Sequence, residues 1–66
     1  MSVAKVIEVS SSSPASFEDA VKQGVEKAAE SLHGIRSVWV SEQHAVVEDG
    51  KVTEFRVTMR ISFVLD

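Results

Sequence analysis

The sequence contains no cysteine, and it has one proline and one tryptophan among its 66 residues. Without cysteine, neither a disulfide framework nor a cysteine-based zinc site can supplement the core. Basic residues are also scarce: seven Lys and Arg against ten Asp and Glu give a net charge of −3 and a pI near 5.2. Because nucleic-acid-binding domains usually carry a basic patch, we expect no nucleic-acid partner.

Long apolar segments are absent as well. The N-terminal stretch Met1–Val6 lacks the apolar run of a signal peptide, and no stretch approaches the length of a membrane span. We therefore expect a cytoplasmic protein with no membrane partner. The serine run has no accompanying base, and the two histidines show no nucleophile–base pattern. We expect a protein that is not an enzyme.

The chain is short but rich in hydrophobic residues. We expect a single domain over residues 1–66, and a domain of this size buries only about 60% of its unfolded surface. Hydrophobic residues make up 44% of the sequence, more than a fold of so few elements can place inside. Burial between subunits resolves this excess, so the composition predicts an obligate homo-oligomer.

The second half of the chain has the pattern of one long β-hairpin from Ile35 to Asp66. Two apolar-rich runs, Val38–Val47 and Val52–Leu65, flank Asp49-Gly50. Asp-Gly between strand-like runs favours a type I′ turn, which needs positive φ at both central positions.

The expected turn also sets which residues face each other across the hairpin. Without a bulge the cross-strand pairs are Trp39–Arg60, Val40–Met59, Ser41–Thr58 and Gln43–Arg56. The only tryptophan would then share one sheet face with both arginines and the glutamine. Because Glu42 and His44 fall out of phase with the apolar pattern, we predict a bulge or twist near Glu42 to His44.

Before the hairpin, the pattern predicts a strand and then a helix. The strand covers Val3–Val9 and is followed by a polar break at Ser10–Pro14. The helix runs from Phe17 to Leu32, with Ser16 as N-cap and Gly34 as the residue that ends it. Gly24 lies within the apolar stripe, which indicates that a strand crosses close to it.

These elements predict an α+β fold of order β-α-β-β. A three-stranded antiparallel sheet wraps around one helix, with the first strand at an edge or beside the third. Strands of this length extend past the helix they cover, and we expect another subunit to cover the overhang.

The order and spacing of several short segments resemble the dodecin family over nearly the whole chain. They are Lys5-Val-Ile-Glu-Val9 before the serines and Pro14, Ser16-Phe-Glu-Asp-Ala20, Ser37-Val-Trp-Val40 with Glu42-Gln43, and the ending Phe55–Asp66. The resemblance implies β-α-β-β subunits assembled into a hollow dodecamer. It also implies storage or sequestration of flavin (riboflavin, FMN or FAD), stacked between symmetry-related tryptophans.

The chain departs from this family at the flavin contacts. Counted without gaps from Ser13-Pro14, the stacking tryptophan of flavin-binding dodecins falls on Ser37, and the glutamine that bonds the flavin edge falls on Arg56. Trp39 lies two residues after Ser37, on the same strand face. Some dodecins lack the flavin site and are associated with calcium, so a flavin-free structural or calcium-associated cage is the alternative.

Four residues are the candidate ligand contacts. Trp39 either stacks on a flavin or fills a subunit interface, where Arg60 can cover it as a cation–π partner. Arg56 and Arg60 either bind a phosphate or form ion pairs with acidic neighbours such as Glu54. Gln43 can replace the missing glutamine.

A metal centre is not expected from the sequence. His44 with Glu42 supplies too few ligands for zinc. His33, in the last predicted helical turn, is better placed to interact with the helix dipole than to bind a metal.

Overall fold

The computed structural model describes residues 3–65, so Met1, Ser2 and the predicted hairpin end at Asp66 lie outside it. Its elements are β1 (Ala4–Ser13), α1 (Phe17–Ala29), β2 (Ile35–Glu48) and β3 (Lys51–Val64). The sheet is antiparallel, and its strand order is β1-β3-β2. The predicted β-α-β-β order is confirmed, with β1 both at an edge and beside β3.

Strand β1 is longer than predicted, because the serine run belongs to it. Ser10 to Ser13 pair with residues Thr58 to Phe55 of β3, so the predicted polar break at these serines is wrong. The backbone groups of central strand β3 need partners on both sides, and hydrogen bonding along the ladder outweighs the weak strand preference of serine.

The last serine of β1 is buried and ties the strand to the helix. Ser13 Oγ donates a hydrogen bond to the carboxylate of Asp19 at 2.6 Å and accepts one from the Ala15 N–H at 2.9 Å. At the helix N-terminus, the Asp19 N–H donates to Ser16 Oγ at 2.9 Å. The predicted N-cap is therefore confirmed. The Asp19 N–H bonds the cap residue Ser16, and the Asp19 carboxylate bonds Ser13 of β1.

The helix ends earlier than predicted, at Ala29 with Glu30 as C-cap. The N–H groups of Glu30 and Ser31 donate to carbonyls three residues back, at 3.2 and 3.0 Å, which tightens the final turn. Gly34 has a φ of +72°, but it lies in the link to β2, where its carbonyl accepts from the Val64 N–H at 3.1 Å. The predicted end at Leu32 and the role of Gly34 as the helix-ending residue are both wrong.

The helix closely approaches the sheet at Gly24. A Cβ atom at this position would overlap the terminal methyl of Met59 and lie 3.0 Å from the Ser11 Cβ. The predicted close crossing at Gly24 is confirmed, and both β1 and β3 take part in it.

The core is small and lies between α1 and the central strand. Among residues 3–65, the buried apolar side chains are Ala20, Val57, Met59 and Ile61. At the edge of this core, the rings of Phe17 and Phe55 meet edge to face with centroids 5.1 Å apart. The molecule is 51 Å long, whereas a helix of 13 residues spans about 20 Å, so the hairpin extends past the helix.

Large apolar side chains remain exposed along the strands and at their ends. They are Val3, Val6, Trp39, Val40, Val47, Val52 and Leu65. In the part of the chain that the structure describes, no helix is long and apolar enough to span a membrane.

The hairpin turn has the predicted geometry, but the ladder contains bulges. Asp49 and Gly50 have φ values of +51° and +75°, as a type I′ turn requires. The register shifts at three places: between Ile35 and Ser37, between Val40 and Glu42, and between Val46 and Val47. The predicted bulge is confirmed in kind but lies at Ser41, just before the predicted segment.

Candidate functional site: the open face of the sheet

The sheet has one face against α1 and one free of it, which we call the open face. Val57 and Met59 of β3 pack with Ala20 of the helix. Because side chains alternate along a strand, Arg56, Thr58 and Arg60 point to the other side. The open face is therefore built on these β3 residues and on their cross-strand partners in β1 and β2.

Trp39 and Arg60 lie in one row across the open face. Arg60 pairs with Trp39 of β2 on one side and with Glu8 of β1 on the other. Arg60 Nε lies 3.7 Å from the Glu8 carboxylate, and Trp39 is 47% exposed. The row thus presents an accessible indole ring next to an arginine that is only loosely held by its carboxylate partner. The predicted pairing of Trp39 with Arg60 is confirmed.

Arg56 lies in a second row, between Ser12 of β1 and His44 of β2. Its Nε and Nη2 donate to the two carboxylate oxygens of Glu54 at 3.4 and 3.3 Å. This hydrogen bonding lowers the pKa of Glu54, and a hydrogen bond from Ser12 adds to the effect. The alternative predicted for Arg56, ion pairing with Glu54, is therefore present in the structure.

Gln43 does not join this group. The extra residue at Ser41 shifts the register, so Gln43 pairs with Val57 and not with Arg56. Since Val57 points toward the helix, Gln43 lies on the opposite side of the sheet from Trp39. The predicted pairing of Gln43 with Arg56 is therefore wrong. The prediction that Gln43 shares a sheet face with Trp39 is wrong as well.

The pair Ser41–Thr58 is wrong for the same reason. Thr58 pairs with Glu42, and Ser41 Oγ instead donates to the Thr58 carbonyl at 3.0 Å. The bulge therefore places Glu42 and His44 on the open face.

Sequence reasoning missed Glu42, His44 and Glu8 as members of the open face. The signal for the first two was present, because both were out of phase with the apolar positions of β2. Glu8 could not be assigned, because the alternation of β1 does not define its inner face.

Next to the tryptophan row, Ser37 and Ser62 share a hydrogen bond between their Oγ atoms of 2.6 Å.

The acidic residues of the open face do not form a metal centre within one chain. Among residues 3–65, no three His, Cys, Asp or Glu side chains come together closely enough to hold a metal ion. Within one subunit the open face is therefore an aromatic surface flanked by ion pairs.

Known proteins match this chain over almost its entire length. The dodecin family matches residues 3–66. Calcium dodecin from Mycobacterium tuberculosis is 41% identical over 64 residues, which cover 96% of this chain and 89% of that protein.

Solved structures show the same fold. The dodecin from Streptomyces davaonensis has a TM-score of 0.93 at 28% identity, covering 98% of this chain and 96% of its own. The calcium dodecin from Mycobacterium tuberculosis also has a solved structure, which is described as that of a calcium-chelating antigen with a calcium-binding site. It has a TM-score of 0.84 at 35% identity, and the match covers 97% of this chain and 91% of that chain. Family match, sequence identity and fold agree, and the chain belongs to the dodecin family.

Proposed function

We propose that this chain is a non-enzymatic binding protein that assembles into a hollow dodecamer and sequesters flavin by stacking it on Trp39. The observation that carries the proposal is the half-exposed indole on the open face, in the same row as Arg60. A planar isoalloxazine ring stacked on an indole gains roughly 0.5–1.5 kcal/mol beyond the burial of its surface.

The size of the core supports assembly. The described residues bury four apolar side chains in the isolated subunit and leave seven large apolar ones exposed. Such a small core is not enough to offset the conformational entropy of the chain. Contacts between copies can supply the missing burial, and closed symmetric assemblies are the common way in which soluble chains achieve it.

Arg60 is the polar contact that we propose next to Trp39. Its separation of 3.7 Å from Glu8, on a half-exposed surface, represents a weak ion pair that costs little to break. Its guanidinium group can therefore turn toward an anionic or carbonyl group of a ligand that lies on the indole.

Arg56 is the second contact in this proposal, for the phosphate of FMN or FAD. It lies four residues before Arg60 on β3, about 13 Å away along the strand, so it would meet a part of the ligand far from the stacked ring. Binding a phosphate there requires Arg56 to exchange its two contacts with Glu54. Gln43 pairs with Val57 and lies on the other side of the sheet, so we do not expect it to contact a flavin stacked on Trp39 of the same chain.

Calcium binding is the second candidate, and the 41% identity with a calcium dodecin favours it. The open face carries the carboxylates of Glu8, Glu42 and Glu54, and oxygen atoms are the ligands that calcium prefers. Since no such group within residues 3–65 is complete in one chain, a calcium site here would need ligands from more than one subunit.

Two titrations of the assembled protein separate the candidates. Light scattering first gives the mass of the particle, and FMN is then titrated while its fluorescence is followed, with and without EDTA. If the protein quenches FMN emission and this quenching persists in EDTA, the result supports flavin sequestration. Unchanged emission, together with calcium binding by calorimetry, would replace flavin with calcium as the ligand.

A further inference from the structure

Two serine hydroxyls lie next to the row of Trp39 and Arg60 on the open face, and the proposed stacking site does not use them. Ser37 and Ser62 are direct cross-strand partners. Each lies two residues from that row along its strand, and therefore on the same face, about 7 Å away. Their Oγ atoms share a hydrogen bond of 2.6 Å on an exposed surface. The hydroxyl pair thus lies beside the indole and not under it.

The hydrogen bond within the pair leaves a donor and acceptors that are free to bind a ligand. A serine hydroxyl carries one proton and two lone pairs, so a bond between two serines leaves one O–H donor and three acceptor positions. These are carried by two oxygen atoms that lie 2.6 Å apart. They match a lactam edge, whose nitrogen and oxygen lie about 2.2 Å apart because its C=O and C–N bonds measure about 1.2 and 1.3 Å.

A ring stacked on Trp39 can reach the hydroxyl pair with its edge. Of the roughly 7 Å between the two rows, a hydrogen bond takes about 2.9 Å. The remaining distance is close to that from the middle of a system of three fused six-membered rings to its end.

The row on the other side of Trp39 does not suit a lactam edge. It holds Glu42 opposite Thr58. An ionised carboxylate only accepts hydrogen bonds, so the Glu42 side chain repels the carbonyl oxygens of a lactam. The two neighbouring rows together favour a ring whose lactam edge points toward the serines.

We propose that Ser37 and Ser62 together bind the lactam edge of a planar heterocycle stacked on Trp39, and that they select ligands with a free ring N–H between carbonyl groups. In a flavin that edge is N3–H with its two flanking carbonyl groups. Arg56 lies beyond Trp39 from the serines, so the lactam edge and the phosphate point to opposite ends of the open face. The inference rests on flavin stacking in the proposed function and adds the residues that determine which ring edge is bound.

A comparison of riboflavin with 3-methylriboflavin tests this selection. The methyl group on N3 removes the donor of the lactam edge and leaves the stacking surface of the ring. Neither compound carries a phosphate, so Arg56 does not enter the comparison. We expect the assembled wild-type protein to bind the methylated flavin roughly three- to tenfold more weakly, as for the loss of one hydrogen bond. Fluorescence titration of both compounds measures the ratio.

The double variant Ser37→Ala/Ser62→Ala should abolish this preference, while Trp39 still quenches both flavins. If the double variant does not assemble, Ser62→Ala alone should reduce the preference. Ser37→Thr keeps a hydroxyl and suits a strand, so it should retain the preference. The matched control is Ser31→Ala, which removes an exposed hydroxyl just after α1, on the helix side of the sheet. It should bind both flavins as the wild type does, and circular dichroism with light scattering shows that each protein is folded and assembled.

A wild type that binds both flavins equally would overturn the inference and leave flavin stacking intact. A double alanine variant that keeps the preference would also overturn it, and the serine pair would then act only as a cross-strand bond within the sheet. Loss of the preference in the Ser31→Ala control would overturn it too. A wild type that quenches neither flavin would instead refute the proposed function, and with it the inference.

Discussion

Trp39 and Arg60 are direct cross-strand partners on β2 and β3, and they lie on the face of the sheet that the helix leaves free. The indole is accessible, and the Arg60 guanidinium lies 3.7 Å from the carboxylate of Glu8 on the far side, in a half-exposed contact. This arrangement combines a stacking surface with a cation in a weak ion pair. It is the relationship on which the proposed flavin site depends.

Substitution of Arg60 should weaken the binding of phosphorylated and unphosphorylated flavins alike, because Arg60 lies beside the stacked ring that both share. Arg60→Gln removes the cation next to that ring, so we expect FMN to bind roughly tenfold more weakly, as for the loss of one charge-assisted hydrogen bond. Riboflavin, which has the same ring and no phosphate, should lose affinity by a similar factor. Fluorescence titration with both flavins at one salt concentration compares the two losses.

The matched control for Arg60→Gln is Lys22→Gln, which makes the same change in charge on the outer surface of the helix, where Lys22 pairs with Glu18 at 3.4 Å. It should bind both flavins as the wild type does. An Arg60→Gln protein that binds FMN more weakly but riboflavin as the wild type does would place Arg60 at the phosphate and not at the ring.

The pair of Arg56 and Glu54 should make stability depend on pH. Hydrogen bonding to Arg56 lowers the pKa of Glu54 in the folded chain, so the carboxylate stabilises the fold at pH above its unfolded pKa. This contribution is lost as the pH falls through the folded pKa. We expect Arg56→Gln to raise the Glu54 pKa toward its ordinary value, and NMR titration of the side-chain carboxyl measures the change.

The same pair gives a prediction for unfolding. The wild type should exceed Arg56→Gln in denaturant midpoint at neutral pH, and the two midpoints should converge in strongly acidic solution, where Glu54 is protonated. Arg56→Lys is the control that keeps the charge but loses the two-pronged contact. A difference between wild type and Arg56→Gln that is constant with pH would contradict the assigned cause.

Gly24→Ala should destabilise the subunit, although alanine is the better helix former by about 1 kcal/mol. The added methyl meets the side chains of Met59 and Ser11, and overpacking of this kind typically costs about 1–3 kcal/mol. We expect a melting temperature lower by a few degrees. Glu26→Ala, an exposed change on the same helix, is the control, and a variant Gly24→Ala that melts above the wild type would contradict the close packing.

Much of the fold could be predicted because local signals agreed with the global arrangement. Asp49-Gly50 correctly predicted the hairpin turn, and Ser16 correctly predicted the start of the helix. The strict alternation of β3 predicted which of its side chains are buried. The extension of β1 through Ser10–Ser13 could not be predicted, because those serines are in a strand only through the long-range requirement of β3 for a partner. Serine has no local preference that would reveal it.

The composition of the open face could be predicted only in part. Trp39 and Arg60 were placed correctly because two bulges compensate between the turn and that row: an extra residue at Thr53 in β3 and another at Ser41 in β2. Between the bulges the register is shifted by one residue, which moved Gln43 to the helix side and brought His44 opposite Arg56. A one-residue shift reverses the face of every side chain in the segment, and the phase of β2 indicated one bulge, not two.

The most direct test of the proposed function is a flavin titration of wild type, Trp39→Phe and Trp39→Ala, with the mass of each particle measured by light scattering. We predict strong quenching of FMN emission by the wild type, weaker quenching by the phenylalanine variant, and none by the alanine variant, with all three particles of equal mass. A Trp39→Ala protein that quenches as the wild type does, or one that falls apart into single subunits, would contradict the assignment of Trp39 as the stacking surface.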